Sequence, residues 1–168
     1  MQRRSWLKLG FFSGAVMAIG GGTLALLEPG VHGQRLSLAG RTVFTGVGRA
    51  LLDGSLPVSG SERETALNGL VERVDGLLSG LPAHARAELS QLLSIMECSV
   101  GRRTLVGLTD HWPIASVADI QAALQSMRVS KFGLRRQAYQ ALHDIIGSAY
   151  FSDASTWTFL GYPGPVAV

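Results

Sequence analysis

Residues 61–82, SERETALNGLVERVDGLLSGLP, carry the clearest structural signal in the chain. Ser61 and Glu64 have the spacing of a capping box, in which two side chains satisfy the free amides at a helix start. Apolar side chains then recur at the three- and four-residue intervals of an amphipathic helix: Leu67, Leu70, Val71, Val74, Leu77, Leu78 and Leu81. Gly80 and Pro82 end the element. The stretch predicts a helix with one buried face.

The sequence beyond Pro82 predicts three further helices. The first follows directly and would form an antiparallel hairpin with the helix before it; its inward positions are Ala85, Leu89, Leu92, Leu93, Met96 and Val100. A shorter helix begins at Ser116, capped with Asp119, and the last covers residues 131–151. Their inward positions are Val117, Ile120, Leu124 and Met127, then Ala138, Leu142, Ile145, Ile146 and Ala149.

The N-terminal part of the body gives weaker signals. Val43, Val47 and Leu51 keep the helical period, although Gly46 and Gly48 lower helix stability there. Pro, Gly and polar residues cluster in residues 28–37, which predicts a linker. No segment alternates convincingly as a strand does. We therefore expect an all-α fold, a small helical bundle with an irregular, aromatic-rich C-terminal tail.

The first 27 residues have the architecture of an export signal. Arg3 and Arg4 precede a stretch from Leu9 to Leu27 that is free of charge and rich in glycine. This is the pattern of a basic region followed by an apolar one, and RRSWLK resembles a twin-arginine signal. We expect residues 1–27 to be a signal and residues 28–168 to be the functional domain. An uncleaved segment would instead be a membrane anchor, since it nearly reaches the roughly 20 residues that span a bilayer.

The charge distribution disfavours a nucleic-acid partner. The chain has 15 basic and 12 acidic residues, and Arg3, Arg4 and Lys8 supply the whole surplus. The body is therefore formally neutral, without the basic footprint that nucleic acid requires.

A search for catalytic groups finds no motif. The histidines are scattered, and no metal-binding, phosphate-binding or nucleophile-elbow pattern occurs. His143 and Asp144 are adjacent on a helix, which favours a surface pair. Asp110 and His111 are the better candidates, because a loop can bring a histidine to a carboxylate. The alternative is a turn that buries Trp112.

Cys98 is the only cysteine, so it cannot form a disulfide within the chain. In an exported protein, an unpaired cysteine indicates either an intersubunit disulfide or a free thiol. On a helix it can also serve as a small core residue. The sequence leaves these alternatives open.

The C-terminal stretch SAYFSDASTWTFLGYPGPVAV is rich in aromatic residues, which are enriched at interface hot spots. Together with the leader and the helical body, it resembles the small subunit of periplasmic flavin dehydrogenases, the gluconate 2-dehydrogenase subunit 3 family. The residues that carry the C-terminal resemblance are Tyr150, Phe151, Trp157, Gly161, Tyr162, Gly164 and Pro165.

That resemblance implies a non-catalytic subunit without a cofactor of its own. Its partner would be a larger glucose-methanol-choline flavoprotein that binds FAD, with a cytochrome c subunit as a further partner. Arg3 and Arg4 would address the pair to the twin-arginine translocase and the periplasm, and the tail residues would dock the partner. The rival hypotheses are a stand-alone exported hydrolase that uses His111 and Asp110, and a membrane-anchored interaction module.

Overall fold

The computed structural model describes residues 27–164. Arg3, Arg4, Pro165 and most of the predicted signal therefore lie outside the described residues. A short antiparallel pair, β1 (Val31–His32) and β2 (Arg35–Leu36), precedes the helices. The α-helices are α1 (Leu38–Leu51), α2 (Gly60–Ser79), α3 (Ala83–Glu97), α4 (Ser99–Gly101), α5 (Val117–Arg128) and α6 (Gly133–Phe151). A π-helical turn (Arg102–Val106) follows α4, and a 3₁₀ helix (Ala154–Leu160) follows α6. The predicted mostly α-helical bundle is confirmed.

Helix α1 lies at the centre of the bundle and packs on α2, α3, α5 and α6. Its two mid-helix glycines allow this close approach. A Cβ atom on Gly46 would lie 2.8 Å from Cε3 of Trp112, and one on Gly48 would lie 2.6 Å from Cδ2 of Leu70. The glycines that weaken the helix signal in the sequence are thus the positions where neighbouring side chains reach the α1 backbone.

Trp112 fills the space beside Gly46 and is fully buried. Its Nε1 donates a hydrogen bond to the Met96 carbonyl oxygen at 3.0 Å. Arg49 donates from Nη2 to the carbonyl oxygens of Trp112, at 3.0 Å, and Ala115, at 2.7 Å. The loop before α5 is therefore the predicted turn that buries Trp112, and it joins α1 to the end of α3.

The predicted caps are partly confirmed. At α5, the Ser116 hydroxyl accepts a hydrogen bond from the Asp119 amide, as expected. At α2, the predicted cap at Ser61 is wrong because the helix begins two residues earlier. Ser59 is the cap, and its hydroxyl accepts from the Glu62 amide. The same Ser-x-x-Glu spacing occurs twice in this stretch, and the chain uses the first copy.

Most of the predicted inward positions are buried, but two are corrected. Val100 is 70% exposed because α3 ends at Glu97, where Cys98 adopts an extended backbone and breaks the register. Leu77 is 40% exposed at the edge of the apolar stripe. The predicted hairpin contact is also minor: α3 packs mainly on α1, whereas α2 packs on α6 and α1.

The predicted linker is instead part of the fold. Two serines of α3 hold its first residues: Ser94 Oγ accepts from the Gly30 amide at 3.0 Å and Ser90 Oγ from the Val31 amide at 3.1 Å. Asp75 of α2 accepts from the Leu36 amide at 2.7 Å. These side chains supply hydrogen-bond partners for backbone groups of the segment. A linker would have bonded those groups to water.

Gly46→Ala should destabilise the protein by about 1–3 kcal/mol, since the new methyl group overpacks the contact with the buried Trp112 ring. Gly76→Ala is the matched control, because Gly76 is an exposed helical position with nothing within 4 Å of the added atom. There the gain in helix propensity should leave stability unchanged or raise it by about 1 kcal/mol. Urea unfolding of both variants measures the difference, and equal stabilities would contradict the packing role of Gly46.

Candidate functional site

The end of α6 and the following tail are anchored to the bundle by part-buried polar contacts. Tyr150 is 2% exposed, and its hydroxyl donates to the Ser55 carbonyl oxygen at 2.7 Å. Arg73 of α2 donates from Nε to the Ala149 carbonyl oxygen at 2.8 Å and from Nη1 to Asp153 Oδ2 at 3.1 Å. The Tyr150 hydrogen bond and the two Arg73 contacts each join residues far apart in the sequence. Together they fix where the tail leaves α6.

Two aromatic pairs follow this anchor. Tyr150 and Phe151 meet edge to face with ring centroids 5.2 Å apart, and Trp157 and Tyr162 do so at 5.4 Å. Trp157 Nε1 donates to the Phe151 carbonyl oxygen at 2.8 Å. The chain turns at Gly161, where φ is +64°, and this turn returns Tyr162 to the Trp157 ring. A positive φ is readily available to glycine.

Exposure divides the predicted docking residues into two groups. Tyr150 is internal, and Phe151 is half-buried against the core. Tyr162 is 48% exposed and rests on the half-buried Trp157. Gly164 also approaches Trp157, since a Cβ atom there would lie 3.6 Å from Cζ3. We call Trp157, Tyr162 and Gly164 the aromatic face; Pro165 lies outside the described residues.

An open cleft of about 490 Å³ lies between α2 and the start of the tail. One side of the cleft is lined within residues 57–69, where apolar Pro57 and Ala66 alternate with polar Ser61, Glu62 and Thr65, and the other side within residues 150–156. Arg73 also lines the cleft, and its ion pair with Asp153 joins the two sides.

Two groups in this region titrate abnormally. Burial raises the pKa of the Tyr150 hydroxyl; the charge of Arg73 opposes this effect and that of Asp153 reinforces it. Hydrogen bonds from the Ser155 hydroxyl and amide lower the pKa of Asp153, and Arg73 adds to that effect. The folded state thus favours a neutral Tyr150 and an ionised Asp153.

Sequence reasoning missed Arg73 and Asp153 as a pair, because they are 80 positions apart and each reads as an ordinary surface charge. One local signal accompanies Arg73. Gly69 lies one turn earlier on the same helix face, and a Cβ atom there would lie 3.2 Å from Arg73 Nη1. A glycine four residues before a long cation on a helix leaves room for that cation to lie along the helix surface.

The predicted histidine candidates have different surroundings. The His111 ring interacts with Glu97, with 2.7 Å between Nε2 and Oε1, while Asp110 forms no hydrogen bond or ion pair within residues 27–164. His143 and Asp144 form an exposed surface pair, as expected, with Nδ1 and Oδ1 3.5 Å apart. Among the described residues, no cluster of three or more His, Cys, Asp or Glu could hold a metal ion.

Cys98 is half-buried at the junction of α3 and α4. Its thiol donates to the Ile95 carbonyl oxygen at 3.2 Å and accepts from the Gly101 amide at 3.3 Å. The side chain therefore caps the short helix α4, a role that neither the core nor the disulfide reading of the sequence includes. The intersubunit disulfide stays a prediction.

Within residues 27–164, no helix combines the length and apolar character that crossing a membrane requires. The predicted anchor, residues 9–27, falls almost entirely outside this range.

Tyr150→Phe should lower the free energy of unfolding by about 1 kcal/mol at neutral pH, because the Ser55 carbonyl oxygen loses its buried partner. The raised pKa of Tyr150 means that this residue's contribution is fully present below about pH 10 and is lost as pH rises through the folded-state value. The difference between wild type and variant should therefore shrink in alkaline solution. Denaturant unfolding of wild type and variant, at neutral pH and in alkaline solution, measures this difference in stability.

Tyr162→Phe is the control for that experiment. The Tyr162 hydroxyl is on the surface and makes no hydrogen bond within the described residues, so its removal should leave stability unchanged. Equal loss in both variants would contradict the anchoring role of Tyr150.

Comparison with protein-family models, with curated proteins and with solved structures gives no match for this chain. The choice of the aromatic face and the adjoining cleft as the candidate site is therefore based on their geometry alone.

Proposed function

We propose that this chain is a non-catalytic small subunit that stabilises, matures and exports a larger FAD-dependent alcohol or sugar dehydrogenase. The proposal starts from the resemblance of both chain ends to the small subunits of periplasmic flavin dehydrogenases. The observation that supports it best is the aromatic face. There the half-exposed Tyr162 ring packs against the Trp157 ring.

The aromatic face has the physical properties of a docking site. Tyrosine and tryptophan dominate interface hot spots because they bury large areas at a small cost in side-chain entropy. Trp157 is fixed by its hydrogen bond to the Phe151 carbonyl oxygen, and Tyr162 packs against its ring. A partner would therefore meet a preformed surface and pay little to order it.

The adjoining cleft extends this surface. Pro57 and Ala66 would contact aliphatic side chains of the partner, while the Arg73–Asp153 pair would offer polar contacts. An interface with an apolar centre and a polar rim is the usual arrangement between subunits.

In this proposal, the chemistry takes place in the partner. The larger flavoprotein would hold FAD and pass electrons to an acceptor such as a cytochrome c subunit. Arg3 and Arg4 would present the assembled pair to the twin-arginine translocase, which carries folded cargo to the periplasm. Cys98 would add a covalent link only if the partner offered a cysteine close to the start of α4.

Tyr162→Ala should weaken association with the flavoprotein by at least about fivefold, since truncation of an interface hot spot costs more than about 1 kcal/mol. The tagged chain replaces the native copy in its own host and is purified from the periplasmic fraction. The ratio of a larger co-purified chain to the tagged chain, together with flavin absorbance, measures association.

Ile114→Ala is the control, because Ile114 is a 76% exposed apolar residue that belongs to neither the aromatic face nor the cleft. It should retain the partner. If the wild-type chain is purified alone and without flavin, the proposed function is wrong. If the wild type retains the flavoprotein and Tyr162→Ala does so equally well, the aromatic face is not the docking site.

A further inference from the structure

The turn between α5 and α6 concentrates positive charge. Residues 128–136, RVSKFGLRR, contain four basic side chains, and no acidic residue occurs between Asp119 and Asp144. We call residues 128–136 the basic tip. The charge balance of the whole body conceals this local excess.

The charges of the basic tip are not neutralised by the fold. Arg135 donates to the carbonyl oxygens of Leu105 and Val106, at 2.7 and 3.1 Å, and to the Ser126 hydroxyl at 2.7 Å. These acceptors carry no net charge. Within residues 27–164, none of the four basic side chains forms an ion pair with a carboxylate.

Two apolar side chains project from the same turn. Phe132 is 73% exposed and Val129 is 66% exposed. Arg136 donates from Nη1 to the carbonyl oxygens of Ser130, at 2.6 Å, and Lys131, at 3.0 Å. These surface hydrogen bonds fix the backbone of the turn.

A shallow depression of about 330 Å³ lies beside the projecting side chains. Arg128, Arg136, Gln137, Tyr139 and Gln140 are among the residues that line it. Guanidinium groups bind phosphate oxygens through paired N–H donors.

We propose that the basic tip binds the surface of an anionic membrane. Phe132 and Val129 would enter the boundary between headgroups and acyl chains, while Arg128, Lys131 and Arg136 contact lipid phosphates. Basic residues around exposed apolar ones are the composition of segments that bind at this boundary. An anionic lipid surface offers negative charge to the unpaired basic side chains and an apolar layer to the exposed Phe132 and Val129 at once.

This surface is independent of the proposed docking of a flavoprotein. The basic tip includes the first turn of α6, whereas the aromatic face follows its last turn, and a helix of 19 residues is about 28 Å long. One end of the subunit can therefore contact lipid while the other contacts a protein.

The test is sedimentation of the natively processed protein with two kinds of vesicle, phosphatidylcholine alone and phosphatidylcholine mixed with phosphatidylglycerol. Lys131→Gln should lower the partition coefficient on the anionic vesicles about fivefold, the effect of one basic residue near such a surface. Arg35→Gln is the charge-matched control, since Arg35 is exposed on β2 and should change binding little. Raised salt should abolish the difference, because it screens the surface potential.

The apolar contribution is tested in the same way. Val129→Ser should weaken binding to the anionic vesicles, whereas Val58→Ser, at a 97% exposed valine far along the chain from the tip, should not. Unchanged thermal unfolding establishes that each variant is folded. Equal binding by the tip variants and their controls would overturn the proposal. So would a result in which the tip variants lose the co-purified flavoprotein but bind vesicles normally, because the tip would then be a protein interface.

Discussion

The close contact between helix α1 and the Trp112 ring is the constraint on which the rest of the bundle depends. Gly46 lets the ring lie against the α1 backbone, and the Met96 carbonyl oxygen satisfies the indole N–H at the buried end of α3. Because Arg49 also holds the backbone of this loop, α5 begins at a defined distance from α1. The packing of α6 on α5 then fixes both the basic tip and the start of the tail.

Hydrogen bonds within the protein also connect the core with the aromatic face. Tyr150 buries its ring among apolar neighbours and directs its hydroxyl to Ser55, while Arg73 bonds to the last turn of α6 and to Asp153. A buried polar group without a partner would cost about 1–3 kcal/mol. Each of these contacts therefore favours one path for the tail. The position of the half-exposed Tyr162 therefore depends on the buried Tyr150 and on the part-buried Arg73–Asp153 pair.

The sequence predicted features that depend on local periodicity and missed those that depend on distant partners. The apolar stripe of α2 and the Ser116 cap could be predicted because helix geometry sets their spacing. The cap at Ser59 was missed because the same Ser-x-x-Glu pattern occurs twice in this stretch, and the spacing alone does not say which copy starts the helix. Gly46 was interpreted only as a residue that lowers helix stability, because a helix propensity scale does not include the tryptophan ring that packs there. For the site, the aromatic residues were predicted, whereas the contact of Arg73 with Asp153 requires the fold.

Net charge says little about a local surface, because it sums over groups that do not influence one another. The screening length in 0.1 M salt is about 10 Å, and the α5–α6 turn contains no acidic residue. Charges farther apart than the screening length hardly compensate each other at a surface. The body can therefore be formally neutral and still present a basic end. The quantity that predicts a partner is the charge within one screening length of an exposed apolar group, and Phe132 meets that condition.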